Sequence, residues 1–318
     1  MSNVSILSVL TAFTITALTA PFVIPLLRKI KCSQTVRMDG PGTHLKKNGT
    51  PTMGGILILF SVVVTSLIFL EDYPKVAPIL FLTLGFGFIG FLDDYIKVIC
   101  NRADGLSAWQ KMLGQLAVTA VFGYYLMSDA DVSLAMRVPF LSGTYLDFGS
   151  WNLMVMFLVI LGTVNGTNFT DGLDGLAGSV TLIVAVFFTV VAIGTESGIE
   201  PITCAVTGAL MGFLLFNVHP ASVFMGDTGS LALGGFVAAC AYMLQMPLYI
   251  AVVGVVYLVE VLSVILQVVF YKVSGGRRIF RMAPLHHHFE LCGWSETRIV
   301  AVFSILTALM CLVGLMGL

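Results

Sequence analysis

Between two long apolar runs lies the segment Asn165-Gly166-Thr-Asn168-Phe-Thr-Asp171-Gly172-Leu173-Asp174-Gly175-Leu-Ala-Gly178. It gathers carboxylates, side-chain amides and glycines in a chain that is otherwise poor in charge. Carboxylates facing lipid are costly, so acids this dense at the end of an apolar run point to chemistry at a membrane surface. Asp171 and Asp174 are three apart and share a face if the segment is helical. The glycines let backbone N–H groups come close to a ligand, and Asn168 adds a donor and an acceptor. Such a loop suits a polar ligand carrying phosphates or a base edge. Helix capping by Thr170 or Asp171 is the bland alternative. It accounts for one polar residue and leaves the others unexplained.

Two further acidic groups lie at comparable positions. Asp93 and Asp94 close an apolar run in Gly90-Phe-Leu-Asp-Asp-Tyr-Ile-Lys97. Neighbouring helical residues point about 100° apart, so the two acids should have different jobs, and Lys97 can reach either. An acid/base carboxylate with a partner that positions phosphate or metal fits this pattern. An interfacial ion pair with Lys97 fits it too. Asp227 lies in Asn217-Val-His219-Pro-Ala-Ser-Val-Phe224-Met-Gly226-Asp-Thr-Gly-Ser230, just before another apolar run. Either Asp227 or Thr228 is simply the N-cap of the helix that follows, or Asp227 is an acid at a helix N-terminus, where phosphate is favoured. Mg²⁺ binds few protein carboxylates alongside phosphate oxygens, so Asp227 is a candidate ligand. Phe224 is an aromatic platform in a polar loop.

Downstream, Ala283-Pro-Leu-His286-His287-His288-Phe-Glu290 follows the basic run Arg277-Arg278-Ile-Phe-Arg281. In an extended segment only His286 and His288 face the same way, and no carboxylate or cysteine pair completes a tetrahedral set. A basic pocket for phosphate or carboxylate is the better reading. Glu260 falls inside an apolar run. It is either functional or a buried acid satisfied by Ser263, Gln267 or a helix break.

The elements that carry these residues follow from composition. The 318-residue chain is 58% apolar and 10% charged, whereas soluble domains carry about 25% charged residues. About ten stretches approach the roughly 20 apolar residues that a spanning helix needs. They centre on residues 3–27, 53–70, 76–92, 112–128, 151–164, 176–194, 201–216, 229–245, 248–271 and 298–316. The expectation is one all-α polytopic membrane domain over residues 1–318, with no separate second domain. Residues 129–150 partly alternate around Ser142-Gly143 and predict a small β-hairpin. With an outward N-terminus, 14 of the 16 Lys and Arg residues fall on one side. The positive-inside rule makes that side cytoplasmic, together with all three acidic groups. Both termini and the hairpin are then extracytoplasmic. Gly208 and Gly212 form a GxxxG spacing that would let two helices approach closely. The six cysteines form no CxxC pair and suggest neither a disulfide framework nor a zinc site.

Gly49-Thr-Pro-Thr-Met-Gly-Gly55, Asp93-Asp94, the Asn165–Gly175 segment, Phe224-Met-Gly-Asp-Thr-Gly-Ser230 and Ala283-Pro-Leu-His-His-His-Phe-Glu290 occur in that order. Together they resemble the phospho-N-acetylmuramoyl-pentapeptide-transferase branch of the polyprenyl-phosphate N-acetylhexosamine-1-phosphate transferase family. The acidic motifs belong to the wider family, and the triple histidine marks the branch. The resemblance implies transfer of phospho-N-acetylmuramoyl-pentapeptide from its UDP conjugate to undecaprenyl phosphate, giving lipid I and UMP in peptidoglycan synthesis. It implies Mg²⁺ as cofactor and a multi-pass protein of the bacterial plasma membrane with a cytoplasmic active site.

By motif, Asp93 resembles the base that deprotonates or positions the lipid phosphate, Asp94 its essential neighbour and Asp227 the Mg²⁺ ligand. Asn168, Asp171, Gly172, Leu173, Asp174, Asn217 and Phe224 resemble the nucleotide side of the pocket, with Phe224 stacked on uracil. Lys46, Lys97 and Lys111 would face phosphates, and His286, His287 and His288 would form a substrate-binding loop. The partners implied are the two substrates and membrane lipid, with no nucleic acid. Monomer and homodimer both stay open. The alternative within the class is a transferase for another UDP-N-acetylhexosamine. A proton-coupled transporter is the rival outside it, and transporter sites lie near the midplane rather than at one face.

Overall fold

The computed structural model describes residues 3–30, 49–100, 102, 104–129 and 132–318. Its long helices are α1 (Asn3–Lys29), α2 (Gly55–Phe69), α3 (Val76–Val98), α4 (Ala108–Ser128), α5 (Asn152–Thr170), α6 (Leu176–Thr195), α7 (Glu200–Asn217) and α8 (Gly226–Met243). After the short α9 (Ile250–Val253) come α10 (Val255–Val273), the short α11 (Leu285–Leu291) and α12 (Glu296–Met316). Each of the ten apolar stretches coincides with helix. Seven helices are long and apolar enough to cross a membrane among the described residues: α1, α3, α5, α6, α7, α10 and α12. The three that fall short have readable reasons. α2 has 15 residues. α4 opens on Gln110 and Lys111 and carries Gln115 inside. α8 is rich in Gly and Ala and is buried along nearly its whole length, so protein, not lipid, surrounds it.

Local signals set several of the ends. Ser107 and Gln110 form a reciprocal capping box that starts α4. Ser295 caps α12 through the Arg298 N–H. Gly175 takes φ +80° before α6, a conformation that costs glycine little.

α8 is the axis of the bundle, packed by α3, α5 and α2. Small residues make those approaches tight. A Cβ on Gly90 of α3 would lie 2.0 Å from the Asp227 carbonyl oxygen, and one on Gly55 of α2 would lie 2.2 Å from the Gly229 nitrogen. The GxxxG spacing does what its pattern allows. Cβ atoms on Gly208 and Gly212 would sit 2.1 Å from the Val9 carbonyl oxygen and 2.8 Å from Thr16 Cβ, so α1 lies directly on α7. Thr16 Oγ1 also donates to Ser61 Oγ at 2.6 Å, tying α1 to α2.

Three expectations need correction. The ninth stretch is not one helix: Gly254, at φ −99° and ψ 24°, separates α9 from α10. The Asn165–Gly178 segment is only partly a loop, because α5 runs on to Thr170. The triple-His segment is helical rather than extended, so its three side chains point in three directions. The hairpin is real but brief. β1 (Met136–Arg137) pairs antiparallel with β2 (Tyr145–Leu146). The Arg137 N–H donates to the Gln245 carbonyl at 2.7 Å. That places the hairpin just past the C-terminal end of α8, opposite Asp227.

Candidate active site

α3 and α8 bring the three acids together. Carboxylate oxygens of Asp93, Asp94 and Asp227 all lie within 4.8 Å of one another. Their partners give each acid a different task. Asp94 is fully buried. Its Oδ1 accepts the Asp227 N–H at 3.2 Å, and its Oδ2 accepts the Thr228 N–H at 2.9 Å and the Thr228 hydroxyl at 2.6 Å. Asp94 therefore caps α8 from another helix, satisfying N–H groups that lack an intrahelical partner. Negative charge there also suits the helix dipole.

Asp93 is buried too. Its Oδ1 accepts the Leu106 N–H at 2.8 Å. Its Oδ2 lies 2.5 Å from Lys97 Nζ and 3.8 Å from Lys111 Nζ. The Lys97 contact has ion-pair distance without hydrogen-bond alignment, and Oδ2 has no aligned hydrogen-bond partner among the described residues.

Asp227 is the least buried of the three acids, its side chain 15% exposed. Its Oδ2 accepts from Lys111 Nζ at 2.7 Å and Lys97 Nζ at 3.0 Å. Its Oδ1 accepts from Asn168 Nδ2 at 2.8 Å, and the same amide reaches Ser230 Oγ at 2.8 Å. Asn168 stands on the last turn of α5. One turn earlier Asn165 exchanges amide contacts with Gln115 of α4, at 3.0 and 3.4 Å. The two asparagines thus lock α5 to α4 and α8.

The turn between α5 and α6 is held from several sides. The Asp174 N–H donates to Glu296 Oε1 at 2.6 Å, and the Gly175 N–H donates to Asn217 Oδ1 at 3.2 Å. Asn217 Nδ2 donates to the Val223 carbonyl at 2.9 Å. Asp174 Oδ2 accepts the Ala221 N–H at 3.1 Å and lies 3.0 Å from His219 Nδ1. Both Asp174 and Asn217 therefore join the 171–175 turn to the 218–225 segment. Leu173 is buried and Gly172 half-buried. Burial pushes the Asp171 carboxyl well above the usual carboxylate range; the charges of Asp227 and Asp94 push the same way, against the Gly226 N–H. The 218–225 segment is in turn pinned to residues 51–55. The Phe224 N–H donates to the Pro51 carbonyl, and the Gly54 N–H to the Phe224 carbonyl, each at 2.8 Å. The half-buried Phe224 ring is presented by a segment fixed at both faces.

The histidines split. His286 is buried against Glu260 and Gly172, with Nδ1 3.2 Å from Glu260 Oε2. His287 pairs with Glu290 Oε2 at 2.7 Å. His288 Nδ1 accepts the Arg281 N–H at 3.1 Å. Gln267 does not serve Glu260: its Oε1 accepts the Ile279 and Phe280 N–H groups. Lys46 lies outside the described residues.

Residues to which the sequence assigns no role are Asn165, Gln115, His219 and Glu296. His219 and Glu296 stand 3.4 Å apart beside Asp174. Only their proximity in three dimensions marks them. A signal for Thr228 was present in the sequence, as a hydroxyl next to Asp227 at a helix start.

Hard oxygen donors converge where Asp93, Asp94 and Asp227 meet, and the unaligned Asp93 Oδ2 is aimed among them. That donor set fits a divalent cation. Two ammonium groups beside it can meet phosphate oxygens. The arrangement can therefore hold a cation, neutralise phosphates and offer a carboxylate for proton transfer at the ends of apolar helices.

Comparison with known proteins agrees with this chemistry. The family model described as glycosyl transferase family 4 matches residues 76–245, and phospho-N-acetylmuramoyl-pentapeptide-transferase signature 1 matches residues 47–59. A phospho-N-acetylmuramoyl-pentapeptide-transferase of Clostridium novyi (strain NT) is 46% identical over 319 residues, covering 99% of this chain and 97% of its own length. Enzymes of the same name from Acetivibrio thermocellus (47% identical; 96% of this chain, 93% of theirs) and Caldicellulosiruptor bescii (46% identical; 98% and 96%) also match over nearly their whole length. The chain belongs to glycosyl transferase family 4 and, within it, to the phospho-N-acetylmuramoyl-pentapeptide-transferases.

Proposed function

We propose that the chain transfers phospho-N-acetylmuramoyl-pentapeptide from its UDP conjugate to undecaprenyl phosphate, giving lipid I and UMP. The observation that carries this is the meeting of Asp93, Asp94 and Asp227 with Lys97 and Lys111 at the ends of apolar helices. One substrate is soluble and anionic, and the other has an apolar tail, so their phosphates can meet only at such an interface. The site faces the cytoplasm, where 14 of the 16 Lys and Arg residues fall if ten helices span.

Phosphoryl transfer asks a protein mainly for positioning and charge neutralisation. Lys97 and Lys111 each bind a phosphate oxygen that would otherwise repel the neighbouring acids. Asp93 Oδ2 holds or takes the proton of the lipid phosphate, whose oxygen then attacks the β-phosphorus of the UDP-sugar. The bond to the bridging oxygen breaks, and UMP leaves with that oxygen. Asp94 keeps Asp227 in register by capping α8. Mg²⁺, held by Asp227 with Asp93 beside it, would supply charge neutralisation for the diphosphate. Gly172, Leu173 and Asp174 form one wall of the nucleotide pocket, and Phe224 stacks on uracil. A direct attack is favoured over an aspartyl phosphosugar, because phosphoryl transfer needs mainly positioning and charge neutralisation and a carboxylate that holds Mg²⁺ is a poor free nucleophile.

The test is UMP release by detergent-solubilised protein with Mg²⁺ and undecaprenyl phosphate. The muramoyl-pentapeptide nucleotide should support turnover. Turnover with UDP-N-acetylglucosamine instead would assign the chain to the other sugar.

A further inference from the structure

We infer that Glu260 is a positioning residue: from inside α10 it sets the triple-His helix against the Asp171–Gly175 turn, acting through His286. This rests on the transferase function proposed above and extends it to a residue with no place in the phosphate site.

Glu260 is fully buried. A carboxylate is tolerated in such a place only where hydrogen bonds compensate it. Its partners are all on α11. Oε2 accepts the Leu285 N–H at 2.7 Å, and Oε1 accepts the His286 N–H at 3.2 Å. Oε2 also lies 3.2 Å from His286 Nδ1.

α11 has seven residues, too few to be stable in isolation. The residue before it, Pro284, makes no side-chain cap. Glu260 supplies that cap from another helix and places a negative charge at the positive end of α11.

The far edge of His286 meets the turn that forms the proposed nucleotide wall. A Cβ on Gly172 would lie 2.1 Å from His286 Nε2, so the imidazole fills the hollow that glycine leaves. Among the described residues neither ring nitrogen has an aligned hydrogen-bond partner, although both are buried, so the imidazole touches Glu260 at ion-pair distance without a hydrogen bond. His286 is therefore a wedge with Glu260 at one edge and Gly172 at the other. Loss of Glu260 frees the wedge, and the turn carrying Asp171, Leu173 and Asp174 loses its backing. The lipid-phosphate side is built by α3, α4 and α8 and does not use this contact.

The experiment compares the wild type with Glu260→Leu, Glu260→Gln and His286→Ala. KM for the UDP-sugar-peptide should rise about tenfold or more in Glu260→Leu, the loss expected when charge-assisted hydrogen bonds go. KM for undecaprenyl phosphate should stay near the wild-type value. Glu260→Gln, which keeps one acceptor, should fall between. In a His286→Ala background the Glu260 substitutions should cost less than they do in the wild type, since only the loss of the α11 cap remains, and a double-mutant cycle reads that coupling. Hydrogen exchange of the substrate-free protein should speed up at residues 285–288 and 171–175 together.

An unchanged KM in Glu260→Leu, an equal rise for both substrates, or effects additive with His286→Ala would overturn the assignment. If the leucine variant does not fold, the glutamine variant runs the same cycle. A wild type inactive on the muramoyl nucleotide would sink the transferase function alone. Glu260 would then be judged by hydrogen exchange, and unchanged exchange at 171–175 would refute its role.

Discussion

Gly90→Ala isolates the geometry of the acid site without altering any of its charges. The added Cβ would lie 2.0 Å from the Asp227 carbonyl oxygen, 2.4 Å from its carbonyl carbon and 2.7 Å from the Thr228 nitrogen. These are backbone atoms at the start of α8, with no rotamer to yield. An ordinary carbon–oxygen contact is about 3.3 Å or more, so α3 and α8 must part by roughly 1.3 Å at this level. Asp94 donates nothing and only accepts from Asp227 and Thr228 across the same gap, so those bonds lengthen with it. A displacement near 1 Å can cost about 10²-fold in rate. Stability should suffer less. Overpacking costs about 1–3 kcal/mol, and replacing a helical glycine by alanine returns up to about 1 kcal/mol. The assay is UMP release set beside thermal unfolding in detergent. Gly162→Ala is the control, since a Cβ there meets nothing within 4 Å. Near-wild-type turnover in a folded Gly90→Ala protein would refute the claim that the α3–α8 approach positions Asp227.

Asp93→Asn, Asp94→Asn and Asp227→Asn should each cut turnover by at least about 10²-fold. Asp94→Asn should also lower the melting temperature, because that carboxylate caps α8; an unchanged melting temperature would remove the capping role. Mg²⁺ binding in the presence of UDP-sugar should weaken far more in Asp227→Ala than in variants of His286, His287 or His288, since Mg²⁺ prefers oxygen ligands; normal binding by Asp227→Ala would cancel the metal assignment. Direct attack predicts no exchange of labelled UMP into the UDP-sugar without lipid, and a phosphosugar adduct on Asp227 would reverse that order of events.

The long elements could be read from sequence because lipid and a protein interior both demand apolar residues at helical length. Hence all ten stretches coincide with helix. The Asp93-Asp94 pair, Asp227 and Lys97 were legible because charge at the end of an apolar run is conspicuous. Contacts between elements were not. Lys111 is picked out in the sequence by resemblance alone, and only the packing of α4 against α3 and α5 brings its Nζ to Asp227. The triple-His segment was read as extended because its helix is short and its cap, Glu260, is 25 residues away. Asn165 and Asn168 looked like loop residues, since two asparagines and two glycines lower helix propensity. Packing against Gln115 and Asp227 outweighs that preference. The break at Gly254 has no counterpart among the neighbouring apolar residues, which would continue a helix equally well.

α8 has a consequence for how the protein responds to its solvent. Its residues from Thr228 to Tyr242 are buried, while α1 and α12 expose Phe22 and Leu312 among others. A bilayer that is too thin or too thick acts on helices that touch its chains, which tilt or bend to match it. α8 does not feel that force directly. Thickness changes reach Asp227 only after being divided among the tilts of surrounding helices, each free to slide a little. Asp227 is thereby cushioned from the membrane whose lipid the protein consumes, whereas Asp93 and Asp94 ride on α3, which exposes Phe81 and Phe88; thickness changes would act on the site through α3.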